Sequence, residues 1–516
     1  MNVEKSIPWV IDLELQPPSL DDNRADADRL LSALKDVSGG IKPRVDLEVL
    51  GRIPSVLRRA GYRSRCTLGK GFDGNSMLVD VRDPASPSPL GLALDLGTSR
   101  ISFEIIDMVS GEVIAQDDLV NPQSEIAADV LARAHHASEK PGLEQLQALV
   151  VEGINSAVAR TCKRMSLAHT DVVLVAIAAN TTMTQLLLGL DSKWLIREPY
   201  TPVVNSPGLF RCSDIGFDFS SSAGLMIFPN VGAYFGGDLI SGILCSGLYK
   251  NPAISVLVDV GTNAEVVLGN SDWLVACAGA AGPALESGVA KIGMLAGEGV
   301  IDRVWLDEDS GELEYGIIGK GKPRGICGSG IIDLAACMFR AGMIDMQGKL
   351  VAAACGNRYR QKQDTTEFVL ICADESATGE DLSIDERELE SLKKAKAAMY
   401  TILETITSSV GIGLQDVERF YVAGSFGSLI NTDSAIAIGM IPDLPRSNFS
   451  ALGNSSLRGA VSLLRDPSLV DDVVNIRDKV TYLELNVNHE FMTRFNAAQF
   501  FPHTDPSLFP SVNNID

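Results

Sequence analysis

Histidine is scarce in this 516-residue chain, with five residues in all, and none of its nine cysteines forms a C-x-x-C pair. The cysteines, at 66, 162, 212, 245, 277, 327, 337, 355 and 372, are too scattered for a zinc ribbon or a ferredoxin-type cluster motif. Ordinary buried thiols in a reducing compartment are the expectation. The histidines, at 135, 136, 169, 489 and 503, show neither triad nor ligand spacing. Positive charge is also in deficit: 44 Lys and Arg face 66 Asp and Glu, a formal charge of −22 with no basic stripe. Such a surface does not attract phosphate backbones or anionic lipid, so neither nucleic acid nor a membrane is an expected partner. It favours a partner with a complementary basic patch. No uncharged apolar run reaches the length of a membrane span, and the opening MNVEKSIPWVIDLEL lacks the apolar core of a secretion signal. Both point to the cytoplasm.

What remains is an ordinary globular composition, 46% hydrophobic and 21% charged, long enough for several domains. Residues 1–88 read as a small α/β domain. WVIDLEL (9–15) alternates like a strand and Pro17-Pro18 ends it. SLDDNRADADRLLSAL then opens a helix, with Asp21 or Asp22 as its cap and Leu30, Leu31 and Leu34 on one face. DPASPSPLG (83–91) has the composition of a linker. Beyond it, strands and helices alternate, and the pattern restarts near residue 251. The expected division is therefore 1–88, 89–250 and 251–516.

The restart is visible in two matching segments, LALDLGTSRISFEIID (92–107) and VLVDVGTNAEVVLG (256–269). In each, an apolar strand ends in Asp-x-Gly-Thr and a second β-branched strand follows. By average composition one such four-residue string arises in about 0.1 chains of this length, so two copies in the same context are informative. The chemistry suits a polyphosphate. Gly97 and Gly261 let backbone amides approach an anion without a Cβ. Thr98, Ser99, Thr262 and Asn263 add side-chain donors. Asp95 and Asp259, at strand ends, can hold the waters of a Mg²⁺ ion, which keeps most of its hydration shell.

Three further segments are candidates for the same ligand. RGICGSGIIDLAACMF (324–339) is a glycine turn before a helix, and the amides of Gly328, Ser329 and Gly330 suit a phosphate; close helix–strand packing explains the glycines equally well. In FYVAGSFGS (420–428) the small residues Gly424, Ser425 and Gly427 would let a purine lie against backbone. AGAAGPALESG (278–288), with Gly282, could line the nucleoside side of a cleft. Asp238, in GGD, is the best candidate for a general base, although an aspartate capping the helix that follows is the simpler account.

Two Asp-x-Gly-Thr turns, a connecting glycine helix and a late glycine turn resemble the superfamily of actin, the acetate and sugar kinases and the heat-shock ATPases. Within it the chain resembles the reductive activators of corrinoid proteins, from about residue 9 to the end. The segments that carry this include LDLGTS, NPQSEIAADVLARA, NTTMTQLLLGLD, VGAYFGGD, VDVGTNAEVVLG, GICGSGIIDL and VAGSFGSLINTDSAIAIGMIPD. The resemblance implies an α/β fold of duplicated actin-like (ribonuclease H-like) ATPase lobes with the small N-terminal domain ahead of them. It implies ATP and Mg²⁺ between the two Asp-x-Gly-Thr turns, with Asp95 and Asp259 at the metal. It also implies ATP-driven reduction of cob(II) to cob(I) on a methyltransferase's corrinoid protein. In many members the electron comes from an iron–sulfur domain on the same chain. No such domain or cluster-cysteine run is evident in this sequence, so a separate reductase is the expected donor. A small-molecule kinase using Asp238, and an ATP-gated binding partner without catalysis, are the competing readings. The oligomeric state is open, a homodimer included.

Overall fold

The strand Val172–Ala179 (VVLVAIAA) is buried at all eight positions. An apolar run covered on both faces belongs at the centre of a parallel sheet. In the computed structural model Leu90–Leu96 lies parallel on one side of it and Gly224–Ile227 on the other. Arg100–Asp107 and then Val113–Val120 continue the sheet antiparallel beyond Leu90–Leu96, and Phe210–Arg211 closes the opposite edge. Counted along the chain, the main strands stand in the order 3-2-1-4-5. Leu274–Gly279, Ala264–Gly269, Ser255–Val260, Arg419–Ala423 and Phe449–Gly453 form a second sheet in that same order, with the same antiparallel and parallel pairings. This is the duplication that the paired segments predict, in the actin-like, ribonuclease H-like α/β arrangement that the resemblance implies.

The structure describes residues 8–261, 264–279, 290–307, 309–362, 365–424, 430–485 and 491–513. They divide into two compact units. One runs to Cys245 and resumes over Ser455–Val480; the other takes Ser246–Asn454 and the residues from Thr481 onward. In the first, side chains alternate across Leu90–Leu96. Leu92, Leu94 and Leu96 share a core with Leu146, Val150, Ile154 and Val158 of the helix Lys140–Arg164. Each such side chain contributes about 1.5–3 kcal/mol on full burial. Gly91, Ala93 and Asp95 occupy the alternate positions, and their small size lets the helix Ser455–Arg465 settle close. A Cβ on Gly91 would stand 3.3 Å from Leu464 Cδ1. One on Gly459 would stand 2.2 Å from the Ser241 carbonyl oxygen, so this helix also lies tightly on Gly237–Ser246.

The N-terminal segment forms a separate four-stranded sheet of Val10–Glu14, Arg63–Lys70, Ser76–Arg82 and Arg44–Val45. Leu30, Leu34, Val49, Ile53 and Leu57, from the helices Asp26–Val37 and Leu47–Arg59, pack on it. The expected cap is not used here. The helix begins at Asp26 behind Ala25, with no side-chain cap. Asp22 is instead held by Arg29 Nη1 at 2.6 Å and Arg24 Nε at 2.9 Å. Charge-assisted hydrogen bonds to two guanidiniums outcompete neutral helix amides, and they hold this carboxyl well below the usual range. Seven cysteines are buried as expected, Cys245 is intermediate and Cys372 is exposed. Burial pushes the thiols of Cys66 and Cys277 up to about 12. Among the described residues no helix is long and apolar enough to cross a membrane.

Candidate phosphate-binding site

Leu96, Ala179 and Ile227 mark the carboxyl ends of three parallel strands in the first unit, the edge at which α/β sheets bind ligands. Leu96 pairs with Ile101 across the first Asp-x-Gly-Thr turn. The turn is tight, since a Cβ on Gly97 would come within 2.5 Å of the Arg100 carbonyl oxygen. Two asparagines grip it. Asn121 Nδ2 donates to the Gly97 carbonyl at 2.9 Å, and the Asn121 amide to the Ser99 carbonyl at 2.9 Å. Asn180 Nδ2 donates to Thr98 Oγ1 at 3.1 Å. Asp95, partly buried, accepts from Ser456 Oγ at 2.8 Å. Ser99 is exposed.

Asn180 has two tasks. Its Oδ1 caps the helix Thr181–Leu187 by accepting from the Met183 amide at 2.9 Å, which leaves Nδ2 for Thr98. A Cβ on Gly236 would stand 2.5 Å from Asn180 Cα and 2.5 Å from Asp238 Oδ1, so the GGD segment abuts the same residue. Asp238 sits in the first turn of the helix Gly237–Ser246, with Oδ1 accepting from the Leu239 amide at 2.9 Å. The dual role of Asn180 makes an expected result specific. Asn180→Asp keeps the cap acceptor but loses the donor to Thr98. It should retain the parent's thermal stability, while the loss of the donor and the added charge weaken Mg-ATP binding. Asn180→Ala should lose about 1 kcal/mol of stability as well. Calorimetry and melting curves on the pair check this, and equal Mg-ATP affinity in Asn180→Asp and the parent would remove Asn180 from the site.

In the second unit Asp259 pairs with its parallel neighbour as Asp95 does, but the hairpin is one residue shorter. Asp259 opposes Glu265 across the hairpin and Ala423 on the parallel neighbour. Gly424, at φ +85°, comes next, and a Cβ there would stand 3.0 Å from Asp259 Oδ1 and 2.9 Å from the Val260 carbonyl oxygen. The structure thus brings together Asp259 and Gly424, with Gly261 at the head of the turn. Thr262, Asn263, Gly282, Ser425 and Gly427 lie outside the described residues. Gly328, Ser329 and Gly330 open the helix Gly328–Arg340 beside a different, three-stranded sheet. There Ser329 is buried and donates to the Asp302 carbonyl at 3.0 Å. A Cβ on Gly330 would stand 2.7 Å from Ile326 Cγ1 and 2.9 Å from the Ile301 carbonyl oxygen, so close helix–strand packing accounts for that glycine.

Asn121, Asn180 and Ser456 are the residues that sequence reasoning missed. For the asparagines a signal existed, because each stands immediately before a helical run in the cap position. Nothing local marks Ser456.

Three family models match the chain in succession. The "RACo linker region" matches residues 8–85, the "RACo middle region" residues 90–251, and the "C-terminal domain of RACo the ASKHA domain" residues 253–513. The chain belongs to the RACo family. The first turn and Asp238 fall in the RACo middle region, and Asp259, Gly328–Gly330 and Gly424 in the ASKHA domain. A solved structure, the "Reductive activator for corrinoid,iron-sulfur protein", is 37% identical, with 99% of this chain and 82% of that one covered and a TM-score of 0.87. The corrinoid activation enzyme RamQ of Eubacterium limosum is 27% identical over 465 residues, 88% of this chain and 77% of RamQ. The Co(II) methylated amine-specific corrinoid protein reductase of Methanosarcina barkeri is 25% identical over 431 residues, 76% of this chain and 73% of that protein.

Proposed function

We propose that this protein uses ATP to drive the one-electron reduction of a corrinoid protein's cobalt from cob(II) to cob(I), with the electron supplied by a separate reductase. The observation that carries the reading is the match along 99% of the chain to a reductive activator, joined to one Asp-x-Gly turn at the head of each duplicated sheet. The residues at both turns fit Mg-ATP. Gly97 and Gly424 sit in close turns where a Cβ would strike backbone, Asp95 stands partly exposed at a strand end, and Thr98 and Ser99 offer hydroxyls. In this reading Asp95 and Asp259 hold the hydrated Mg²⁺, and Thr98, Ser99, Thr262 and Asn263 donate to phosphate oxygens. Mg²⁺, when bound, would supply positive charge that offsets that of the phosphates.

ATP is needed because the reduction runs uphill. For one electron a tenfold shift is 59 mV, so a gap of about 200 mV costs about 4.6 kcal/mol. A protein that binds the corrinoid partner differently in its nucleotide states can supply that difference, and the coupling is reciprocal. Asp238, placed in a helix's first turn, is then a local structural residue rather than the base of a kinase.

The test is an anaerobic spectroscopic assay with a corrinoid protein, a reductant and ATP. The cob(I) absorbance should appear only when this protein and ATP are both present, and hydrolysis without the corrinoid protein should be slow. Unchanged cob(II) with all components present, or transfer of phosphate to a small metabolite, would overturn the proposal.

A further inference from the structure

Arg133 is fully buried, at 0% relative exposure. Its guanidinium meets neutral acceptors: the Ala127 carbonyl at 2.9 Å, Ser124 Oγ at 3.1 Å, Gln123 Oε1 at 3.2 Å and Met183 Sδ at 3.3 Å. Burial lowers its pKa to about 10, against the opposing charge of Asp129, so it stays a cation at neutral pH. A buried cation held by neutral groups is destabilising compared with a well-packed hydrophobic residue. Packing alone does not account for it.

Its neighbours lead to the first turn by two routes. The Gln123 amide donates to Asn121 Oδ1 at 3.0 Å, and Asn121 Nδ2 holds the Gly97 carbonyl. The Met183 amide donates to Asn180 Oδ1 at 2.9 Å, and Asn180 Nδ2 holds Thr98 Oγ1. Gln123 is itself buried and anchored by Nε2 to the Leu146 carbonyl at 2.9 Å. One guanidinium nitrogen, Nη1, therefore touches both routes, and the two amides that grip the turn share a single buried anchor.

We propose that Arg133 is a positioning residue for the phosphate turn: by joining the Pro122–Glu125 turn to the helix Thr181–Leu187, it fixes the spacing at which Asn121 and Asn180 present Gly97 and Thr98 to the nucleotide. This deepens the ATP reading above and rests on it for the ligand. Arg133 does not touch the ligand; it acts through the two asparagines. A planar fork does this where an ammonium cannot, because the fork reaches several acceptors in fixed directions.

The experiment compares the full-length parent with Arg133→Met, Arg133→Lys and Met183→Leu. Met183→Leu breaks one route with a volume-conserving change and leaves the arginine in place. Mg-ATP affinity should fall about tenfold in Arg133→Met and Arg133→Lys, and about threefold in Met183→Leu, on the scale of lost outer-shell contacts. Hydrogen exchange of the nucleotide-free protein over residues 96–100 should speed up in all three. In a double-mutant cycle, Arg133→Met should add less than about twofold once Asn121 and Asn180 are both alanine. A merely structural role would instead add its full effect in that background. Unchanged exchange over 96–100 in Arg133→Met and Met183→Leu would overturn the positioning role, as would full additivity in the cycle. If Arg133→Met does not fold, Met183→Leu decides the point. Failure of the parent to bind Mg-ATP would instead remove the ATP reading, with the exchange result still deciding whether Arg133 holds the turn.

Discussion

Asp95→Ala and Asp259→Ala should each weaken Mg-ATP binding by about 10–100-fold, the usual cost of removing a group that orients a metal's ligands, with the fold retained. Each aspartate sits near the exit of a largely apolar strand, and neither supplies the hydrophobic contacts that hold its sheet. The loss of Asp95 gives up the hydrogen bond from Ser456 Oγ, worth about 1 kcal/mol net. The sign of the metal dependence separates the assigned role from general damage. Removing a carboxylate from an anion site relieves repulsion when no metal is present. Metal-free ATP should therefore bind the variants at least as well as the parent, and only the Mg²⁺-dependent gain should vanish. Titration calorimetry with and without Mg²⁺ reads both quantities. If both variants keep the parent's Mg-ATP affinity, the two turns are not the nucleotide site.

The second large effect is expected at Gly97. A Cβ there meets backbone, the Arg100 carbonyl oxygen at 2.5 Å, and backbone cannot rotate aside as the end of a flexible side chain can. The two strands of the hairpin would have to part at the turn. Gly97→Ala should therefore cost about 1–3 kcal/mol, as overpacking does, and reduce Mg-ATP affinity at least as far as Asp95→Ala. Gly424→Ala should show the same pattern on the second sheet, where φ +85° adds its own penalty of about 1–2 kcal/mol. Gly51 is the control. It lies inside the helix Leu47–Arg59, and a Cβ there would meet nothing within 4 Å. Gly51→Ala should stabilise the protein by up to about 1 kcal/mol and leave nucleotide binding unchanged. Urea midpoints and calorimetry on the three variants make the comparison. A Gly97→Ala protein that unfolds and binds like the parent would mean that the turn relaxes freely.

The turns were legible because an apolar strand ending in Asp-x-Gly-Thr is a local pattern, and its repetition exposed the duplicated sheets. The residues that hold the first turn were not. Asn121 reaches Gly97 across 24 residues, Asn180 reaches Thr98 across 82, and Ser456 reaches Asp95 across 361. A cap position shows where an asparagine's oxygen goes, but its amide nitrogen is placed by strand register, which no short window contains. Asp22 shows the same limit from the other side. Its place ahead of a helix suited a cap, yet two arginines took the carboxylate. The glycines at 328 and 330 were legible as a helix start. Whether they faced a ligand or a strand depended on where the Ile301 and Ile326 backbone lay.

Because the first unit is completed only by Ser455–Val480, its folding is tied to the order of synthesis. When the ribosome has made Cys245, the sheet bearing Asp95 is already strung together. The helix that covers its Gly91 and Ala93 face, and the serine that contacts Asp95, do not yet exist. Roughly 200 residues separate the two parts, a delay of about 10–40 s at ordinary translation rates. Throughout that interval the part of the central sheet that this helix covers lacks that cover. Such a nascent chain is a natural client for a chaperone, and a fragment ending before residue 455 would lack it permanently. To produce the first unit by itself, an engineer would have to splice the late helix behind Cys245 rather than cut the chain.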